Sequence, residues 1–263
     1  MPYAYFSGKK TYYEFTPGKK ETIVFVHGWN INYTEWIRLS KILLAEGYGV
    51  LLYNLYGYGT SSSLKKVSSY SLLKYKNQLK NLLNHLKIKN PVLVGHSMGG
   101  MISLKYAGVE NVKALILIAS TYRDPFNIFD SKHLFREKIM NFLTNIKNAE
   151  VRRNVESFDF SKDWDHNDFY FFLKGITHTK DTTLLGGLHA LMNNNQKNIL
   201  AKLKMPVLII VGKKDFTTPV EESVYMHKKI KNSELRIMSG GHDLNIARYK
   251  EVSKEIIEFL KKL

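Results

Sequence analysis

Ser97 lies in the sequence Gly-His-Ser-Met-Gly-Gly at residues 95–100, where its type and its neighbours suit nucleophilic catalysis. A serine hydroxyl attacks a carbonyl carbon at neutral pH only when it is exposed, has a base beside it and faces donors for the oxyanion that forms. Glycines two residues before and two residues after the serine permit a sharp turn that side chains would crowd. This spacing makes Ser97 a candidate nucleophile for acyl transfer.

The residues on either side of Ser97 predict a strand followed by a helix. Residues 91–95 form a short apolar run typical of a buried strand, and residues 98–107 can continue as a helix. The first backbone N–H groups of a helix lack partners within it and carry partial positive charge, which favours an anion. The N–H of Met98 is therefore the first predicted oxyanion donor.

Short β-branched runs alternate with longer amphipathic stretches along most of the chain, as they do in mostly parallel sheets with crossover helices. Predicted strands cover residues 22–27, 49–54, 91–95, 113–119, 206–212 and 235–238. Predicted helices cover residues 33–46, 71–86, 98–107 and 245–263, and another begins near residue 219. The alternation predicts the α/β class.

Strong strand signals are missing between residues 122 and 204, where apolar residues recur at helical spacing instead. We interpret residues 122–204 as an inserted helical cap, and residues 1–121 and 205–263 as the core. The cap holds an aromatic cluster at residues 169–172. Such a cluster suits either an apolar substrate group or the packing of the cap against the core.

The glycine-flanked serine, the His-Gly-Trp segment at residues 27–29 and the order of the elements resemble those of the α/β-hydrolase superfamily. The resemblance is to its cap-bearing esterases, lipases and peptidases, and it covers nearly the whole chain. It implies a mostly parallel central sheet flanked by helices, with an inserted helical cap. It also implies that Trp29, which follows His-Gly, supplies the second oxyanion N–H group.

Two later segments resemble the positions at which this superfamily carries its acid and its base. Residues 211–219 resemble the strand-to-loop site of the acid, which implies that Asp215 orients the base. The Gly-Gly-His segment at residues 240–242 resembles the loop of the base, which implies that His242 takes the proton of Ser97. The chain order serine, aspartate, histidine is the one expected of this fold.

Three other polar residues, Asp124, His27 and His96, lie near the predicted site in the sequence. Asp124 is an alternative acid, because it follows the predicted strand 113–119, where some superfamily members carry this residue. His27 and His96 neighbour the site but are expected to pack or hydrogen-bond within their loops. The histidines of the predicted cap show no metal-ligand spacing, and no metal or cofactor is predicted.

The resemblance implies a serine hydrolase that cleaves carboxylic esters through an acyl-enzyme on Ser97, as a carboxylesterase or monoacylglycerol lipase does. A C–C bond hydrolase or lactonase with the same triad remains open, as does a non-catalytic small-molecule receptor on the same fold. Asn54 stands where the superfamily usually has aspartate, which disfavours a proline iminopeptidase. The expected partner is a small ester or acyl substrate with an apolar portion.

Composition limits the other functional classes. The 263 residues include no cysteine, which excludes disulfides, thiolate metal sites and a cysteine nucleophile. The net charge is +16, but the lysines are scattered and no nucleic-acid-binding motif accompanies them, so we predict a Lys-rich surface without nucleic-acid binding. No leader-like segment and no apolar run of about 18 residues occurs, so we expect a cytoplasmic protein without a membrane span. No oligomeric state is predicted.

Overall fold

A computed structural model of the chain describes residues 2–125, 179–192 and 194–263. The strands in these residues are β1 (Tyr3–Phe6), β2 (Lys9–Thr16), β3 (Thr22–Val26), β4 (Gly49–Tyr53), β5 (Val92–His96), β6 (Ala114–Ile118), β7 (Val207–Gly212) and β8 (Ser233–Met238). The α-helices in them are α1 (Ile37–Ala45), α2 (Leu72–His85), α3 (Met98–Ala107), α4 (Asp181–Leu191), α5 (Lys197–Leu200), α6 (Val220–Lys229), α7 (Leu244–Ala247) and α8 (Tyr249–Leu260). Two 3-10 helices cover Tyr33–Trp36 and Val67–Ser69.

The strands of the described residues form one sheet in the order β1-β2-β4-β3-β5-β6-β7-β8. In that order, the neighbouring strands β4, β3, β5, β6, β7 and β8 are all parallel to one another. Strand β2 runs antiparallel to both of its neighbours. The predicted α/β class, with a mostly parallel sheet flanked by helices, is confirmed. The β1–β2 pair at one edge was not among the predicted strands.

Helices cover both faces of the sheet, so its central strands are buried on both sides and consist of continuous apolar runs. On one face, Leu79 of α2 and Ile102 of α3 belong to a core cluster with the sheet. On the other face, Leu39 of α1 and Ile256 of α8 belong to a second cluster. These two apolar layers hold the strand ends, and the loops that follow them, in place.

Two of the predicted helices are divided in the structure. The predicted helix 33–46 begins as a 3-10 helix, whose first turn is capped by the Asn32 side chain accepting from the N–H of Thr34. The predicted helix 245–263 is α7 followed by α8, because Arg248, with φ −128°, leaves the helical region between them. Apolar periodicity alone does not reveal such breaks.

Part of the predicted cap, residues 122–125 with α4 and α5, lies within the described residues. Helix α4 contacts the core, because the Trp29 indole N–H donates to the Leu184 carbonyl at 3.0 Å. The aromatic cluster predicted at residues 169–172 lies outside the described residues, and the cap boundaries remain a prediction. No helix of the described residues is long and apolar enough to cross a membrane.

The turn from β5 into α3 places Ser97 in an unusual conformation, with φ 51° and ψ −119°. A β-carbon on Gly95 would lie 2.5 Å from the carbonyl oxygen of Gly99. A β-carbon on Gly99 would collide with the carbonyl oxygen of Val26. Both obstacles are backbone atoms, which cannot swing aside as a side chain can. The tight turn at Ser97 therefore requires glycine at both positions.

Replacing Gly99 by alanine should destabilise the fold, because the new β-carbon would force α3 away from the end of β3. We expect Gly99→Ala to lower the free energy of unfolding by about 3 kcal/mol, measured by urea denaturation. Gly241→Ala is the matched control, since a β-carbon there meets only the Lys214 carbonyl oxygen at 3.6 Å. Equal stability of the two variants would contradict this account of the turn.

Candidate active site

The loops that follow β3, β5, β7 and β8 all leave the sheet at the carboxyl ends of parallel strands. Ligands of open α/β sheets gather at this edge. The four loops carry the predicted site residues Trp29, Ser97, Asp215 and His242, and Met98 begins α3 directly after the second loop. The fold thus directs all five residues toward one edge.

Asp215 and His242 form a hydrogen-bonded pair. His242 Nδ1 lies 3.0 Å from Asp215 Oδ2 and 3.1 Å from Oδ1. A carboxylate only accepts, so Nδ1 carries the proton and Nε2 is left as the basic atom of the neutral ring. The Asp215 side chain is fully buried, whereas that of His242 keeps 20% of its exposure. The predicted acid is thus buried and hydrogen-bonded to the predicted base, which stays partly accessible.

Thr217 and Thr218 complete the surroundings of the Asp215 carboxylate. Their backbone N–H groups donate to Oδ1 at 2.9 and 2.8 Å, and the Thr218 hydroxyl donates to Oδ2 at 2.9 Å. Burial alone would raise the pKa of Asp215, but the hydrogen bonds and charge of His242 and the donors of Thr218 hold it below its usual value. Asp215 is therefore ionised at neutral pH.

Close backbone packing brings the loops of Asp215 and His242 together. Gly212, the last residue of β7, lies against Gly240 and Gly241, and a β-carbon on it would lie 2.6 Å from the Gly240 carbonyl oxygen. The same carbonyl accepts the N–H of Lys214 at 2.9 Å. A larger residue at position 212 would push the two loops apart, so the pair depends on this glycine.

Ser97 is held between β5 and β6 by its backbone and lies next to the loop of His242. Its N–H donates to the Ile118 carbonyl at 3.0 Å, and its carbonyl accepts the Ser120 hydroxyl at 2.9 Å. The preceding residue, His96, places Nε2 3.2 Å from the carbonyl oxygen of His242. The structure thus ties the loop of residues 239–243, called the base loop after the predicted base His242, to the residue beside the partly exposed Ser97.

The two segments with the predicted oxyanion donors are packed against each other. A β-carbon on Gly28, the residue before Trp29, would lie 3.0 Å from the His96 ring. Gly99, the residue after Met98, lies against the carbonyl oxygen of Val26. The backbone N–H groups of Trp29 and Met98 therefore belong to two segments that are in direct contact.

His27 and His96 were predicted to pack or hydrogen-bond within their loops, but both reach other segments, and they differ in charge state. His27 accepts the N–H of Leu55 on Nε2 at 3.0 Å and faces the Gly28 carbonyl with Nδ1 at 2.8 Å, which fits a neutral ring. Burial lowers the pKa of His27 to about 4. Burial would also lower the pKa of His96, but the charge and hydrogen bond of Glu35 raise it to about 9.

Glu35 was not predicted to contribute to the site. Its carboxylate is completely buried and accepts from His96 Nδ1 at 2.8 Å and from the N–H of Gly28 at 2.9 Å. Because Glu35 lies in an amphipathic stretch, its sequence position indicates a helix and gives no sign of distant partners. Thr218 did have a signal, since an aspartate followed by threonine favours local side-chain-to-backbone bonds.

The alternative acid, Asp124, is buried at the start of the predicted cap, where its N–H donates to the Asn194 carbonyl at 2.6 Å. The carboxylate that the structure brings to His242 Nδ1 is that of Asp215. Within residues 2–125, 179–192 and 194–263, no three carboxylate or histidine side chains cluster as metal ligands.

These features define an α/β protein whose candidate site lies at the carboxyl edge of a mostly parallel sheet. A model of the α/β hydrolase fold family matches residues 21–249, which is most of the chain. The chain therefore belongs to the α/β-hydrolase fold family.

Several known proteins resemble the chain over nearly its full length. The uncharacterized hydrolase YugF of Bacillus subtilis is 27% identical, with 97% of this chain and 95% of that protein covered. The putative esterase/lipase 2 of Mycoplasma pneumoniae is 25% identical, with 92% of this chain and 90% of that protein covered. The solved esterase of Exiguobacterium antarcticum has a TM-score of 0.79 at 24% identity, covering 97% of this chain and 96% of that one, which shows a shared fold.

The Glu35–His96 pair should make stability depend on pH. Because folding raises the pKa of His96 from 6.5 to about 9, its contribution is complete below pH 6.5 and is lost as pH rises through 9. We expect the free energy of unfolding of the wild-type protein to fall by about 2 kcal/mol between pH 7 and 9.5.

The matched reference is the double variant Glu35→Gln/His96→Asn, which removes both charges and leaves neither unpaired. Its stability should change less over the same pH range when urea denaturation is measured at constant ionic strength. Parallel pH profiles for the double variant and the wild-type protein would contradict the charge assignment.

Proposed function

We propose that the chain is a serine hydrolase that cleaves carboxylic esters, with Ser97 as nucleophile, His242 as base and Asp215 as the acid that orients the base. The observation that carries this proposal is the Asp215–His242 pair, whose loop is bonded to the residue beside the strained Ser97. The names of relatives as hydrolases and as an esterase/lipase support hydrolase activity.

The reaction begins when the Ser97 hydroxyl attacks the carbonyl carbon of the ester while His242 Nε2 takes its proton. The imidazolium that forms is stabilised by the ionised Asp215, which hydrogen-bonds to Nδ1. His242 then delivers the proton to the alkoxide leaving group, and the acyl group stays on Ser97. His242 then takes a proton from water as the water attacks the acyl-enzyme, and it returns that proton to the Ser97 oxygen when the carboxylic acid leaves. Each step uses protein groups and water.

The oxyanion of each tetrahedral intermediate is assigned to the backbone N–H groups of Trp29 and Met98. The N–H of Met98 is at the first position of α3, so it has no acceptor one turn earlier within the helix and points along the positive end of the helix dipole. Two such donors stabilise developing charge without reorganisation, because backbone N–H groups are already oriented.

The proposed substrate is a small ester with an apolar portion, of the kind taken by a carboxylesterase or a monoacylglycerol lipase. Helix α4 contacts the proposed site, since its Leu184 carbonyl accepts the indole N–H of Trp29. The neighbouring side chains of Tyr58 and Met98 are aromatic and apolar, and both are buried. An uncharged acyl group fits such surroundings better than an ionised one.

Replacing Ser97 by alanine should abolish hydrolysis, because no nucleophile remains. We expect wild-type protein to hydrolyse short p-nitrophenyl esters and to react with a fluorophosphonate probe, and Ser97→Ala to lose about 10⁴-fold or more in kcat and all labelling. The exposed Ser69→Ala is the matched control. Folded wild-type protein that is neither active nor labelled would favour a small-molecule receptor instead.

The choice of acid is tested by comparing two aspartates. Asp215→Asn should lower kcat about 10³- to 10⁴-fold, since the amide favours the wrong tautomer of His242 and cannot stabilise its cation. Asp124→Asn should stay within about threefold of wild type. The measurement is kcat for a p-nitrophenyl ester, and the reverse order of the two variants would reassign the acid to Asp124.

A further inference from the structure

A single buried carboxylate joins three segments that surround Ser97. Glu35 accepts the N–H of Gly28 on Oε1 at 2.9 Å, and it accepts His96 Nδ1 and Asn245 Nδ2 on Oε2 at 2.8 and 3.0 Å. These donors belong to the loop after β3, the end of β5 and helix α7. The Glu35 side chain has no exposed surface, so protein donors replace its lost hydration.

His96 extends this set of contacts to the base loop. Its Nδ1 faces the Glu35 carboxylate, and its Nε2 faces the carbonyl oxygen of His242 at 3.2 Å. Carboxylate and carbonyl oxygens only accept, so both ring nitrogens donate and His96 is an imidazolium. Its ring also lies against the His242 ring, with centroids 5.0 Å apart. The cation is therefore bonded to Glu35 on one side and to the base loop on the other.

The four titratable groups with a described interaction with His96 are Glu35, Asp243, His242 and His27. Glu35 is the carboxylate in direct contact, whereas Asp243 interacts through its charge. Compared with an apolar pair of similar volume, a buried ion pair adds little net stability, because desolvation offsets most of its attraction, but its geometry is demanding. Such a pair beside a reactive residue is suited to positioning more than to stabilising the fold.

We propose that Glu35 and His96 form a positioning pair. The pair fixes the loop after β3, which carries Trp29, and the base loop relative to each other and to Ser97. Glu35 binds the N–H directly before Trp29, the proposed oxyanion donor, while His96 binds the main chain of His242, the proposed base. The inference rests on the proposed function. Both side chains are buried, so each acts through the group it holds.

The test compares Glu35→Gln with wild-type protein in hydrolysis of p-nitrophenyl acetate. Loss of the Glu35 charge should weaken the hydrogen bond from Gly28 and leave His96 neutral. Because Gly28 precedes Trp29, the proposed oxyanion donor would then shift, and a shift of about 1 Å lowers turnover about 100-fold. We expect that decrease in kcat, with KM within about threefold of wild type. Nitrogen-15 spectra of the histidine rings should show His96 doubly protonated at pH 8 in wild type and singly protonated in the variant.

Glu222→Gln is the matched control, because Glu222 is a similarly buried carboxylate whose side-chain partners are Arg123 and Thr121, outside the two loops that Glu35 and His96 hold. Its kcat should stay within about twofold of wild type. Equal losses in the two glutamine variants, or unchanged kcat in Glu35→Gln despite a neutral His96, would overturn the positioning role. An inactive wild-type protein would overturn the proposed function, whereas failure of the positioning pair alone would leave the wild-type protein active.

A second variant keeps the test decisive if Glu35→Gln does not fold. Asn245→Ala removes one donor to Glu35 without changing any charge. We expect about a tenfold decrease in kcat at unchanged KM, because the carboxylate is then less firmly held. Wild-type kcat in folded Asn245→Ala would count against the positioning pair.

Discussion

The backbone of Ser97 occupies a conformation that costs about 1–3 kcal/mol, and the arrangement of the site depends on its persistence. Two glycines make the turn sterically possible, while hydrogen bonds to Ile118 and Ser120 hold it between two central strands. Those strands are rigid because helices bury them on both faces. The apolar core therefore stabilises more than the fold. It also opposes the relaxation of one residue whose hydroxyl must stay presented at the edge of the sheet.

Surroundings decide what each histidine of this region does. His27 is surrounded by one acceptor and one donor, so a neutral ring satisfies it. His96 faces two acceptors and is charged. His242 faces the Asp215 carboxylate with one nitrogen and keeps its other nitrogen for chemistry. Three residues of one type thus supply a neutral spacer, a fixed cation and a proposed base, because each sits among different hydrogen-bonding atoms.

The fold and the location of Ser97, Asp215 and His242 at strand ends are predictable from sequence because their signals are local. Glycine spacing marks the turn at Ser97, and apolar runs mark strands whose ends carry Asp215 and His242. Glu35 escapes such reasoning because its partners are 7, 61 and 210 residues away in the chain. Strand β2 escapes it as well, since its lysines, threonines and tyrosines do not form an apolar run. Long-range partners and edge strands are decided by tertiary packing, which periodicity does not report.

Trp29 is fixed at two points, its indole ring and its main chain. Its indole N–H binds the Leu184 carbonyl of α4, while its main chain continues directly from Gly28, which is anchored to Glu35. Any displacement of α4 must therefore either break the indole bond or transmit force to the main chain of Trp29. The position of α4 is thereby coupled mechanically to the main chain of Trp29, the proposed oxyanion donor. A substitution in α4 that breaks the indole bond would therefore act on the strand-end loop after β3 from a distance of more than 150 residues in the chain.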